Sequence, residues 1–256
     1  MLNYKITQII NSGRYGVVHK GLDVGCDRWV AIKRFPIVRQ DIPFARAQDI
    51  ANREESNWKL VTGHRNVVSI HDVFHHDNAI HFVMELCKGS LADLKIQHAS
   101  NVQHVLNDVL SGLVHCHESN IIHGDIKPAN ILLGEDGAWK LADFGNSFIC
   151  LEESDALNVP RGTPSFLSPE IFEGTGYGKN ADVWAIGVMT YYMFTGCMPF
   201  DGMTYGEIYR QVRCVHPRYE MFDCDMTVDF LTRCLEKDNK KRWNSKDALK
   251  HPFVCG

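Results

Sequence analysis

The run His123-Gly124-Asp125-Ile126-Lys127-Pro128-Ala129-Asn130, followed downstream by Asp143-Phe144-Gly145, constrains this chain most. It sets three oxygen-bearing side chains, Asp125, Asn130 and Asp143, and one lysine, Lys127, on two neighbouring turns. That is the equipment for holding a metal-bound triphosphate beside a hydroxyl nucleophile. A fold able to use it must bring the two turns to one cleft.

A chain of 256 residues can be one large domain or two lobes sharing such a cleft. Its formal charge of −4 argues against a nucleic-acid-binding face, leaving open only a local basic patch. Nine cysteines, none in Cys-x-x-Cys spacing, fit reduced thiols in a cytoplasmic or nuclear compartment. The start, Met1-Leu2-Asn3-Tyr4-Lys5, lacks the apolar stretch of a signal peptide. The most apolar segment, Val183–Phe194, falls short of the roughly 20 residues a bilayer span needs and suits a buried helix. No membrane anchor is expected.

Apolar clusters at Ile6, Ile9, Ile10, Val17, Val18, Trp29, Val30 and Ile32, broken by Gly13, Gly16, Gly21 and Gly25, predict antiparallel strands over 4–35. Asp41 and Pro43 read as a helix start. Ala47, Ile50, Ala51, Glu54, Trp58 and Val61 then recur along one helical face. Strand-like runs follow around Val67–Val73 and Ala79–Met84. From Leu91 the periodicity turns helical, with a stripe of Val105, Leu106, Val109, Leu110, Leu113 and Val114. Later helices are predicted over 182–195, 204–214 and 226–236. The change of pattern at Glu85–Gly89 predicts an α+β molecule of two lobes. Residues 1–86 would form a small antiparallel-sheet lobe with one helix, and 87–256 a larger, mainly helical one.

Two more pieces precede the first run: Ile10-Asn11-Ser12-Gly13-Arg14-Tyr15-Gly16-Val17-Val18 and Val30-Ala31-Ile32-Lys33. Together the four resemble the signature set of the eukaryotic-type serine/threonine protein kinase family. The resemblance runs from Tyr4 to His251-Pro252-Phe253. It implies transfer of the γ-phosphoryl group of Mg²⁺-bound ATP to hydroxyls of a protein substrate, by a monomer without nucleic-acid or membrane partners. By the same resemblance Asp125 is the catalytic carboxylate, Lys127 neutralises charge on the transferring group, and Asn130 and Asp143 bind Mg²⁺. Lys33 contacts the α- and β-phosphates and a helix glutamate. Counting back from His64 favours Glu55 as that partner. The helix stripe favours Glu54, which we take.

The glycine-rich turn spans Ile10 to Val18, with Asn11 where the family has a first glycine; asparagine tolerates positive φ better than most residues. Adenine would meet the Glu85 carbonyl and Cys87 N–H, with Met84 behind it and Val18, Ala31 and Leu132 sandwiching the ring. Gly162-Thr163-Pro164-Ser165-Phe166-Leu167-Ser168-Pro169-Glu170 resembles the end of an activation segment. Thr163 with Lys127 is the serine/threonine combination, Glu170 would pair with Arg242, and Asp182 would hold the catalytic-loop backbone.

A pseudokinase would lack Lys33, Asp125 or Asp143, and a small-molecule phosphotransferase would lack the 162–170 segment. His115-Cys116-His117 and His75-His76 read as packed or solvated histidines, since neighbours on a helix do not share a face. Ser90, Ala129 and Tyr192 stand where arginine-directed members carry acids. Gly124 and the bare-domain length resemble kinases carried by large DNA viruses. Gly124 replaces the arginine that grips an activation-segment phosphate, and residues 155–161 contain no hydroxyl side chain. Activity without phosphorylation there is expected.

Overall fold

The computed structural model describes residues 3–13, 16–38, 43–93, 99–151 and 161–255. Strands β1 (Tyr4–Gly13), β2 (Gly16–Asp23), β3 (Arg28–Pro36), β4 (Ile70–His76) and β5 (Ala79–Glu85) form an antiparallel sheet in the order β1-β2-β3-β5-β4. Central strands β3 and β5 bury Val30, Ile32, Phe35, Ile80, Phe82 and Val83, whereas edge strand β1 leaves Ile6, Ile9 and Ile10 exposed. Two register shifts in β1, between Ile6 and Gln8 and between Ile9 and Asn11, bend that edge.

Helix α1 (Phe44–Val61) packs on this sheet through Ala47, Ala51, Glu54, Asn57, Trp58 and Val61, at the three- and four-residue spacing of one face. Pro43 occupies its N-cap and, lacking a side-chain acceptor, makes no cap bond. Asp41, the expected cap, lies outside the described residues. The strand expected from Val67 begins at Ile70 instead. Val67 and Val68 are taken by the other half of the molecule: Val68 N–H donates to Leu141 O at 2.9 Å, and Val67 forms an isolated bridge to Leu141.

The rest is helical: α2 (Ala99–Glu118), α3 (Pro169–Glu173), α4 (Asn180–Thr195), α5 (Tyr205–Cys214), α6 (Asp225–Cys234), α7 (Ser245–Leu249) and α8 (Pro252–Cys255). Helix α4 is buried without a break from Ala181 to Tyr191, as its continuous apolar composition requires. Helix α5 starts one residue later than expected, because Thr204 is its cap in a reciprocal box with Glu207. Short strands thread between the helices: β6 (Gly89–Ser90), β7 (Ile121–Ile122), β8 (Ile131–Leu133), β9 (Trp139–Leu141) and β10 (Phe148–Ile149). They pair as β6-β8-β9 and β7-β10 and fix the turns that carry Asp125 and Asp143. Two or three residues are too few to display alternation, so sequence periodicity does not reveal them.

One apolar core joins the two parts, from Ala31 and Trp58 through Leu106 and Phe144 to Val183 and Phe253. Trp58 links them directly, stacking on Phe82 at 6.3 Å and on Phe144 at 5.8 Å between ring centroids. Its indole N–H donates to Val68 O at 2.6 Å, so the buried ring keeps no unpaired donor. Full burial of such a side chain contributes about 1.5–3 kcal/mol. The α1 face and the Asp143-Phe144-Gly145 turn are thereby held in fixed register.

Candidate active site

Between sheet and helices lies a cleft with two connected chambers of about 580 and 410 Å³, which share Asn11, Val18, Lys33, Ala129, Asn130 and Asp143. Ile10, Val18, Ala31, Met84 and Leu132 line the larger chamber, beside Glu85 and Cys87 of the segment leaving β5. The Glu85 side chain is already committed, accepting from Ser69 N–H at 2.6 Å and from Lys140 Nζ at 2.8 Å. Burial, then the neighbouring Glu85 charge, pushes the Cys87 thiol up to about 12, so it lines the wall as an apolar group. Among the described residues no group accepts a hydrogen bond from the Cys87 N–H. An apolar-walled chamber with a free donor at its wall fits a purine base.

Ser12, Gly13 and Gly16 line the other chamber. Gly16 sits at φ +147°, where a Cβ would collide with the carbonyl oxygen of Arg34, so only glycine closes this turn. Asn11 departs from the expectation of a positive φ. It is extended within β1, opposite Val18, and the turn needs no left-handed residue there. Val17 faces Arg34 in the β2–β3 ladder and lines neither chamber. Arg14 and Tyr15 lie outside the described residues.

Lys33, central in β3, bonds two carboxylates at once: Glu54 Oε1 at 2.7 Å and Asp143 Oδ1 at 2.7 Å. Glu55 instead faces Lys59, at 2.6 Å along the helix surface. Burial disfavours the Lys33 charge, yet Asp143 and Glu54 more than offset it and its pKa rises. Burial also raises Glu54, with Lys33 opposing. Asp143 is lowered in spite of burial because Lys33 attracts its charge. Asp143 itself adopts a left-handed φ of 65°, a conformation that costs energy and turns its carboxylate into the cleft.

Across the cleft Asp125 gathers four side chains. Its Oδ1 accepts from Thr163 N–H at 3.0 Å and Thr163 Oγ1 at 2.8 Å. Its Oδ2 accepts from Lys127 Nζ at 2.8 Å, Asn130 Nδ2 at 3.2 Å and Asn146 Nδ2 at 3.4 Å. Lys127 Nζ also donates to Thr163 Oγ1 at 2.7 Å. Asn130 spends its amide nitrogen on Asp125, including the backbone oxygen at 2.8 Å, which leaves its Oδ1 for a cation. Asn130 Oδ1 and the Asp143 carboxylate, from two residues that line both chambers, are hard oxygen donors of the kind Mg²⁺ takes alongside phosphate oxygens. The residues present therefore fit a magnesium-bound nucleotide.

Asp182, at the start of α4, holds the turn that carries Asp125. Oδ2 accepts from His123 N–H and Oδ1 from Gly124 N–H, both at 2.9 Å. Burial opposes its charge, but the His117 hydrogen bond and charge, His123 and the Gly124 N–H together lower its pKa. The expected Glu170–Arg242 contact is a buried bidentate pair at 2.6 and 3.0 Å.

Sequence reasoning did not single out three positioning residues. His117 bridges Asp182 and Ser245 at 2.9 Å each, joining α2 to α4 and α7. Asn57 on α1 donates to Ser147 Oγ at 3.0 Å, and Ser147 Oγ donates to Phe144 O at 2.6 Å, tying the helix to the Asp143 turn. Asn146 completes the Asp125 shell. Asn57, placed between Glu54 and Trp58 on the buried face, was the readable signal. His115, by contrast, stacks on His64 at 4.7 Å.

The protein kinase domain family matches residues 4–254, and the chain belongs to that family. It is 31% identical over 265 residues to the calcium/calmodulin-dependent protein kinase cmkB of Emericella nidulans, covering 98% of this chain and 65% of that protein. CDPK-related kinase 1 of Arabidopsis thaliana is 32% identical over 272 residues, 99% of this chain and 46% of the relative. Calcium/calmodulin-dependent protein kinase type I of Schizosaccharomyces pombe is 29% identical over 268 residues, 98% of this chain and 78% of the relative. The chain thus spans between about half and two thirds of the first two proteins' length. Among the described residues, no helix is long and apolar enough to cross a membrane.

Proposed function

We propose that this protein is a serine/threonine protein kinase, transferring the γ-phosphoryl group of ATP to protein hydroxyls. The observation that carries this reading is the meeting of Asp125, Lys127, Thr163 and Asn130 opposite the Lys33–Asp143 pair in one cleft. Magnesium-bound ATP would supply the phosphoryl group and the cation that offsets its charge. Lys33, kept charged and aimed by Glu54, would steady the phosphates. Asn130 and Asp143 would hold the metal, while the Glu85–Cys87 backbone receives the base.

Asp125 orients the acceptor hydroxyl and takes up its proton as the new O–P bond forms and the bond from the γ-phosphorus to the bridging oxygen breaks, releasing ADP, while Lys127 offsets charge growing on the transferred group. Preorganisation carries most of the rate, because these side chains are already held in place by Asp182, Thr163 and Asn146. Lys127 and Thr163 support serine or threonine as acceptor. Incubating the purified chain with labelled ATP and mixed protein substrates, then analysing phosphoamino acids, tests this. Phosphoserine and phosphothreonine are expected; label chiefly on tyrosine contradicts it.

We read the chain as independent of phosphorylation on its activation segment. The unmodified end of that segment is bonded to Asp125 itself through Thr163. Ser154 and residues 155–160 lie outside the described residues. Phosphatase-treated protein made in bacteria should keep most of its activity; near-complete loss, restored by an upstream kinase, contradicts this. Nine cysteines, none in Cys-x-x-Cys spacing, support a reducing cytoplasmic or nuclear setting.

A further inference from the structure

A second pocket, about 290 Å³, opens beside the catalytic turn, walled by Pro128, Ala129, Phe166, Tyr192 and Met198 with the stem of Lys127 at its inner edge. We infer that this pocket selects an apolar side chain, of the size of leucine, methionine or phenylalanine, on the acceptor protein close to the phosphorylated residue. The inference rests on the kinase reading above and deepens it.

Continuity with the acceptor site fixes the occupant. Lys127 and Ala129 belong both to this pocket and to the chamber where Asp125 waits for the hydroxyl. An extended peptide advances about 3.3 Å per residue and turns alternate side chains to one side, so a residue a few positions from the acceptor reaches this wall. The chemistry of the wall fixes its class. Among the described residues no acid lines the pocket, so an arginine or lysine on the substrate would find no partner. The one charged group, the Lys127 ammonium, is turned away and held by Asp125 at 2.8 Å and Thr163 at 2.7 Å, which leaves its methylenes facing in. Tyr192 presents its ring at the rim, 39% exposed between the buried Tyr191 and Met193 of α4. A volume of this size suits one large side chain rather than a folded surface.

The test is a serine-centred peptide library randomised one position at a time, read with wild-type protein, Tyr192→Glu and Met198→Asp. Wild type should favour leucine, methionine or phenylalanine over arginine and aspartate by about 10-fold or more at one position near the serine. Either variant should erase that preference by raising KM for the apolar peptide, with KM for ATP unchanged. Tyr192→Glu should also improve the arginine peptide. Met198→Asp keeps the test alive should Tyr192→Glu fail to fold. Transfer without any apolar preference, or a preference that survives in both folded variants, overturns the inference and leaves the kinase reading intact. No transfer to any peptide by wild type overturns both.

Discussion

His117 Nε2 lies 2.9 Å from Asp182 Oδ2, with both side chains almost wholly removed from water. The same carboxylate accepts the backbone N–H groups of His123 and Gly124, so the turn that carries Asp125 rests on one buried anion.

Because its pKa is lowered in the folded state, Asp182 stabilises the protein above the unfolded carboxylate value, near 3.9. That contribution is lost as pH falls through the lower, folded value. Asp182→Asn should therefore flatten the acid limb of the stability curve. Urea midpoints measured from pH 5 down to pH 2 should fall less steeply in the variant than in wild type. Coincident slopes would show that the charge on Asp182 is not coupled to folding. Asp182→Ala strands several buried donors at once and should cost about 3–5 kcal/mol.

Arg242 is the second buried ion whose partner cannot be removed cheaply. Its guanidinium bonds both Glu170 oxygens, donates to the backbone oxygens of Asn180, Glu236 and Lys237, and lies 5.0 Å from the Trp184 ring. Glu170→Ala should destabilise by about 3–5 kcal/mol, because it leaves the arginine buried and unpaired. Lysine at 242 should not rescue the fold, since a single ammonium cannot make the bidentate contact. Denaturant melts of the two variants give the answer; a melt of Arg242→Lys equal to wild type would refute the geometric argument.

Lys33→Met should lower phosphoryl transfer on the order of 10²-fold or more, as removal of a preorganised donor does. It also leaves Glu54 and Asp143 facing each other without their shared cation. Glu54→Gln should be milder, because Asp143 still holds Lys33 at 2.7 Å. Rates normalised to circular-dichroism-checked protein test the ranking. Equal losses in both variants would mean that Glu54, and not Asp143, dominates Lys33 positioning.

The residue types around the cleft were readable because their spacing within each short motif is set by one turn or one strand. What joins the motifs was read only in part: the resemblance implied the Lys33–Glu54, Glu170–Arg242 and Asp182 contacts, but not those of His117 or Asn57. Glu54 and Glu55 differ by about 100° on a helix; counting back from His64 favoured Glu55, whereas the helix stripe favoured Glu54, which is the residue that bonds Lys33. Packing of Trp58 against Phe82 and Phe144 fixes that rotation in the fold. His117 and Asp182 are 65 residues apart, and no local pattern links them. The long helices were legible from apolar periodicity, as in α4, with ends shifted by one or two residues where caps such as Thr204 intervene. Val67 and Val68 look like the start of a strand but serve the contact to Leu141, because composition reports burial and not the partner.

The central claim is that Asp125 handles the acceptor hydroxyl. Initial rates of transfer from γ-labelled ATP to a protein substrate, compared between wild type and Asp125→Ala with nucleotide affinity measured in parallel, test it most directly. Asp125 sits apart from the Lys33–Glu54–Asp143 group, so the variant should bind magnesium-bound ATP nearly as wild type while transfer falls by about 10² to 10⁴. Transfer at the wild-type rate by folded Asp125→Ala would contradict the account.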